Sequence, residues 1–116
     1  METEPLPIVD FQQALAAVHG DEDAAKELVD LFLSGVNKMT AAVADTLPNG
    51  KAGFAAACHE LGTSLAIVGG VRAAKVARRL ERSLYDGEVV DLVAASRELI
   101  DELQLVVSML RVYSGR

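Results

Sequence analysis

Tryptophan is absent from this chain, and aromatic residues make up only 4% of its 116 positions. A core without large rings has to be assembled from Ala, Leu and Val, which suits helices packed closely on one another. Proline is scarce too. Pro5, Pro7 and Pro48 interrupt no periodic segment, so long helices run unbroken. The one cysteine, Cys58, excludes an intrachain disulfide and a cysteine-rich zinc site. Cations are in the minority, 11 against 17 acidic residues, for a net charge of −6. Such a chain is poorly made to displace the counterions of nucleic acid or to bind an anionic membrane surface. The longest apolar region, residues 65–71, is broken by Gly69 and Gly70 and is too short to insert in a membrane. The opening Met-Glu-Thr-Glu-Pro-Leu-Pro has neither the basic start nor the apolar run of a signal peptide. These absences predict a soluble, cytoplasmic protein.

What is present is an apolar fraction of 51%, enough for one core in one domain of this length. Residues 1–9, with two prolines that push their predecessors out of the helical region, read as an extended lead-in or linker remnant. Residues 10–113 read as the domain. Asp10 is a good N-cap, with Gln13 placed to complete a capping box. Phe11, Ala14, Leu15 and Val18 form a short stripe that ends at His19-Gly20. The acidic Asp21-Glu22-Asp23 suits the start of a second, long helix. Its stripe is Leu28, Phe32, Val36, Met39, Val43 and Leu47, and Pro48-Asn49-Gly50 turns the chain.

A third helix is predicted over 51–68 and a fourth over 71–85, with Ala73, Ala77, Leu80 and Leu84 inward. Between them the Gly69-Gly70 break is so short that the two must run antiparallel. A fifth is predicted over 89–112, with Leu92, Leu99, Leu103, Val106 and Leu110 on its seam and Val93, Ile100 and Val107 widening it. The fold class is therefore all-α, an antiparallel up-down-up-down four-helix bundle with a short leading N-terminal helix.

The third helix holds the most informative stretch. Phe54, Cys58, Leu61, Leu65 and Val68 recur at steps of four and three and define one apolar face, on which Cys58 reads as a small buried hydrophobe. His59 lies one position past that seam. Its neighbours at helical spacing are Ala55, Gly62, Thr63 and Ala66, all small. An open helix face normally carries Lys, Glu and Arg. Small residues there point to the close approach of another protein or, more plainly, to a face packed against a neighbouring helix with a solvated His at its edge.

Other chemistry finds little support. There is no Ser-His-Asp arrangement on suitable elements and no Gly-rich phosphate loop after a strand. Glu60 follows His59 directly, so the two point to different sides, and no carboxylate stands at ligand spacing to either histidine. No metal site is expected. His19, beside a helix-ending glycine, reads as structural or solvated. On the fourth helix Arg72, Lys75, Arg79 and Arg82 recur at three, four and three residues, with Arg78 beside them. That is a basic stripe on an acidic protein, read either as a solvated face or as an attractor for an acidic partner.

The segment His59-Glu60-Leu61-Gly62-Thr63-Ser64, with Gly69 ten residues after the histidine, resembles the motif His-x-Leu-Lys-Gly-Ser of histidine-containing phosphotransfer (HPt) domains of bacterial phosphorelays. His59, Leu61, Ser64 and Gly69 match. Gly62 stands where the family has Lys, and Thr63 where it has Gly. The order of helices fits from about residue 8 to residue 113. The resemblance implies that His59 is the phosphoacceptor, with Ala55, Gly62, Thr63 and Ala66 on the partner-docking surface. It implies as partners a response-regulator receiver domain or a hybrid sensor histidine kinase. The chain would then be a monomeric phosphoryl carrier and not an enzyme. It would hold no cofactor, because the receiver supplies the Mg²⁺. The two departures admit a second reading, a module of the same fold that docks a receiver or kinase without carrying phosphate.

Overall fold

The computed structural model describes residues 6–45 and 50–115. The predicted Leu47 contact, the Pro48-Asn49 part of the turn and the first five lead-in residues lie outside that range. Five helices follow in order: α1 (Phe11–Ala17), α2 (Glu22–Asp45), α3 (Lys51–Ile67), α4 (Val71–Tyr85) and α5 (Leu92–Ser114). The long helices pack in a ring, α2 on α3, α3 on α4, α4 on α5 and α5 back on α2, while α1 covers α2 and α3. This is the expected bundle. No helix of the described residues is long and apolar enough to cross a membrane.

The helix starts follow from their caps. The Asp10 carboxylate accepts from Gln12 N–H, that of Asp21 from Ala24 N–H and that of Asp91 from Ala94 N–H. The predicted capping box at α1 does not close. The Asp10 N–H that Gln13 would have to satisfy is donated instead to the Gly69 carbonyl, at 2.7 Å. Asp91 also corrects the start of α5, which begins three residues later than its apolar pattern suggested. Val89 is fully exposed and Val93 largely so, and neither belongs to the seam.

The core is made of the expected stripes. Phe54, Cys58, Leu61, Leu65 and Val68 from α3 and its C-cap meet Ala73, Ala77, Leu80 and Leu84 from α4. Val29, Phe32, Val36 and Val43 of α2 and Leu99, Leu103, Val106 and Leu110 of α5 close the other side. Leu28 is only partly buried, because Val29 takes the inward place that the spacing gave to it, and Met39 is also only partly buried.

The lead-in is fastened to the bundle. Val9 is buried in the core, and the Asp10 backbone lies directly on Gly69 in the α3–α4 turn. Gly69 has φ +82, in the left-handed region that favours glycine. A methyl group there would overlap the Asp10 carbonyl.

Candidate functional site: a presented histidine beside a basic helix

His59 stands near the middle of α3 with 70% of its side chain exposed. Its Nδ1 lies 2.9 Å from Oε2 of Glu81 on α4, whose own side chain is mostly covered at 16% exposure. An ionised carboxylate only accepts hydrogen bonds, so Nδ1 is the protonated nitrogen of the neutral ring. Nε2 then carries the lone pair and has no partner among the described residues. Thr63 Oγ1 donates to the His59 carbonyl at 3.1 Å, which ties the next turn of α3 to the one that bears the imidazole.

Glu81 was not singled out from sequence, yet a signal was there. It is the only acidic residue of α4, among five basic ones. The tight turn makes α3 and α4 mirror each other about Gly69 and Gly70. His59 lies ten residues before Gly69 and Glu81 eleven after Gly70, so the two fall opposite each other.

The strip of small residues divides. Ala55 and Gly62 are buried. A methyl group on Gly62 would stand 3.5 Å from the Ala77 methyl and 3.6 Å from Arg78 Cγ. Both positions are turned into the fold, and at Gly62 the neighbour is α4, so neither is open to a docking partner. This corrects their assignment to the docking surface. Thr63 is exposed and Ala66 half-buried. The open side of His59 is completed by Ala52 and Ala56, which the sequence reading passed over. Of the four positions one turn away from His59, 55 and 62 are buried, whereas 56 and 63 are exposed. Beyond Ala56 a shallow groove of about 550 Å³ between α2 and α3 is lined by Gly35, Ala42, Gly53 and Ala57 among others.

The basic stripe divides in the same way. Arg72 grips Glu102 of α5 through two hydrogen bonds of 2.7 and 3.0 Å, and Arg79 pairs with Glu98. The hydrogen bonds to Glu102 push the Arg72 guanidinium pKa upward. Lys75, Arg78 and Arg82 make no ion pair among the described residues. All three line the open depression of about 720 Å³ that also holds His59, Thr63 and Glu81, with Arg79, Tyr85 and Asp86 at its rim. Four of the five cations of α4 thus face the histidine's side, two of them from the predicted stripe without a carboxylate partner, and Arg72 does not.

Cys58, directly below His59 in sequence, is fully buried. Burial pushes its thiol up from 9.0 to about 12, and the Glu81 carboxylate adds to the shift. The folded protein keeps this proton at pH values where the unfolded chain loses it. Its contribution to stability is therefore intact below pH 9 and is lost as the pH rises towards 12. Urea unfolding between about pH 8 and 11 should show a decline whose Cys58 share is at most about 1.4 kcal/mol per pH unit. The Cys58→Ala protein should lose that share, and an unchanged slope would rule it out.

His19 closes α1 in the left-handed region (φ 55) and is exposed. Among the described residues no group of three or more His, Cys, Asp or Glu side chains could hold a metal ion.

No protein-family model matches the chain, and no curated protein sequence does. Among solved structures, the HPt domain of a hybrid sensor histidine kinase from Shewanella superposes with a TM-score of 0.77 at 22% identity. The superposition covers 94% of this chain and 96% of that one. The helix order, the ring of four long helices and the lead-in helix above them are thus the fold of an HPt domain.

Proposed function

We propose that this protein is a phosphoryl carrier of a phosphorelay, in which His59 accepts a phosphoryl group from a receiver-domain aspartate and passes it to another receiver. The observation that carries the reading is the hydrogen bond from His59 Nδ1–H to Glu81, which leaves Nε2 as the exposed nucleophile. In the transfer, the Nε2 lone pair forms a bond to phosphorus while the bond to the aspartyl oxygen breaks. The electron pair leaves with the carboxylate. The ring becomes cationic, and Glu81 stabilises the Nδ1 proton that it already holds. The reverse sequence delivers the group to the next aspartate.

Phosphoryl transfer depends mainly on in-line positioning and charge stabilisation. In this reading the receiver brings the Mg²⁺ and the acidic residues. This chain supplies a nucleophile on a rigid helix and an open approach over Ala52, Ala56 and Thr63. Lys75 and Arg82 supply a positive field for an acidic receiver face. The chain is then a substrate and carrier, not an enzyme by itself, and needs no cofactor of its own.

Incubation with a phosphorylated receiver should give an acid-labile, base-stable label on this protein. His59→Gln should remove it completely, whereas His19→Gln should leave it in place. Label that survives His59→Gln rejects the reading. Receiver binding without any label would instead identify a docking module of the same fold.

A further inference from the structure

The cations of α4 are not equivalent. Arg72 and Arg79, seven residues apart, are held by Glu102 and Glu98 of α5. Lys75, Arg78 and Arg82 recur at three and four residues on the side turned towards α3, and none has a carboxylate partner among the described residues. The depression these three line also holds two carboxylates, Glu81 and Asp86, so cations remain in excess there and the site attracts an anion.

Arg78 is placed differently from the other two. Its Cγ passes 3.6 Å from where a Gly62 side chain would begin. The stem of Arg78 therefore lies over α3 at the turn that follows His59, in space open to it because residue 62 has no side chain. Arg78 lines the same open depression as His59. A guanidinium offers several N–H donors in a planar fork that matches phosphate oxygens, and it stays charged at any working pH.

We infer that Arg78, supported by Arg82, binds the oxygens of the phosphoryl group carried on His59, across the α3–α4 interface and by way of the space left at Gly62. This rests on the reading of His59 as phosphoacceptor and adds the group that holds the phosphorylated state. Lys75, at the outer edge of the stripe, is left to the approaching partner.

Phosphorylation with phosphoramidate, which needs no receiver, provides the test. The phosphohistidine is then followed by ³¹P NMR as a function of pH, and its hydrolysis is timed. In Arg78→Ala the second ionisation of the phosphoryl group should rise by about half a unit to one unit, a three- to tenfold weaker hold on the dianion, and hydrolysis should quicken by a similar factor. Arg78→Lys should retain part of the effect. The double variant Gly62→Lys/Arg78→Ala should restore it by sending a cation over the same spot from α3. Arg72→Ala, whose guanidinium is committed to Glu102, should behave as wild type. A wild-type protein that is labelled on His59 but titrates and hydrolyses identically after Arg78→Ala overturns the inference alone. A wild-type protein that takes no label at His59 overturns it together with the reading beneath it.

Discussion

Replacing Gly69 with alanine should lower the stability of the protein by about 3–5 kcal/mol, among the larger effects of a single methyl group. Two causes add. The residue sits at φ +82, where a side chain costs roughly 1–2 kcal/mol. The new methyl would also overlap the Asp10 carbonyl, so the lead-in must lift away. Lifting breaks the Asp10 N–H bond to the Gly69 carbonyl, about 1 kcal/mol, and exposes Val9, about 1–2 kcal/mol. Thermal unfolding should show a fall of roughly 10–20 °C. Gly87→Ala is the control. Gly87 has a similar φ of +76 but open space around it, so only the backbone cost of about 1–2 kcal/mol should appear. Equal losses at the two sites would show that the contact with Asp10 contributes nothing.

Replacing Glu81 with glutamine should slow phosphoryl transfer through His59 by roughly 10²-fold, while stability stays within about 1 kcal/mol. The carboxylate fixes both the ring orientation and the tautomer. A glutamine amide can turn its NH₂ towards Nδ1, which places the ring proton on Nε2 and removes the attacking lone pair. In the proposed transfer it also withdraws the negative charge that would stabilise the cationic ring of the product. Two readouts separate this positioning role from a loss of structure. Nitrogen chemical shifts of His59 should change from the Nδ1–H form towards a mixture of tautomers. The Cys58 thiol, which the Glu81 charge helps to push up, should titrate lower in the variant. Unchanged transfer with an unchanged tautomer would remove Glu81 from the account.

Much of this architecture was legible in the sequence, for physical reasons that can be named. The α3–α4 hairpin was bounded within a residue, because two glycines at 69 and 70 interrupt an otherwise continuous apolar pattern. The α5 start was misplaced, because Val89 and Val90 extend the apolar pattern beyond the Asp91 cap, and the cap decides where the helix begins. His59 stood out because its surroundings are small, but the cause of that smallness lay in two directions at once. A helix wheel gives spacing and not the side on which the neighbouring helix sits. Ala55 and Gly62 were therefore assigned to a docking surface, although both are buried, and the open Ala52 and Ala56 were missed.

The basic stripe carried the same ambiguity. Periodicity placed Arg72 and Arg79 in line with Lys75 and Arg82, and only the glutamates of α5 separate these two from the cations that have no carboxylate partner among the described residues. Glu81 could have been found by folding α3 onto α4 about the short turn. The same construction sets Gly62 against Arg78, since Gly62 lies seven residues before Gly69 and Arg78 eight after Gly70. Hairpin register thus yields the two cross-helix contacts on which the proposed chemistry of this site rests.

The most direct test of the account is a proton–nitrogen correlation spectrum of His59 before and after phosphorylation by a receiver. The hydrogen bond between His59 and Glu81 predicts a free ring protonated at Nδ1 and a phosphoryl group bonded to Nε2. A phosphoryl group on Nδ1, or on any residue other than His59, would contradict it.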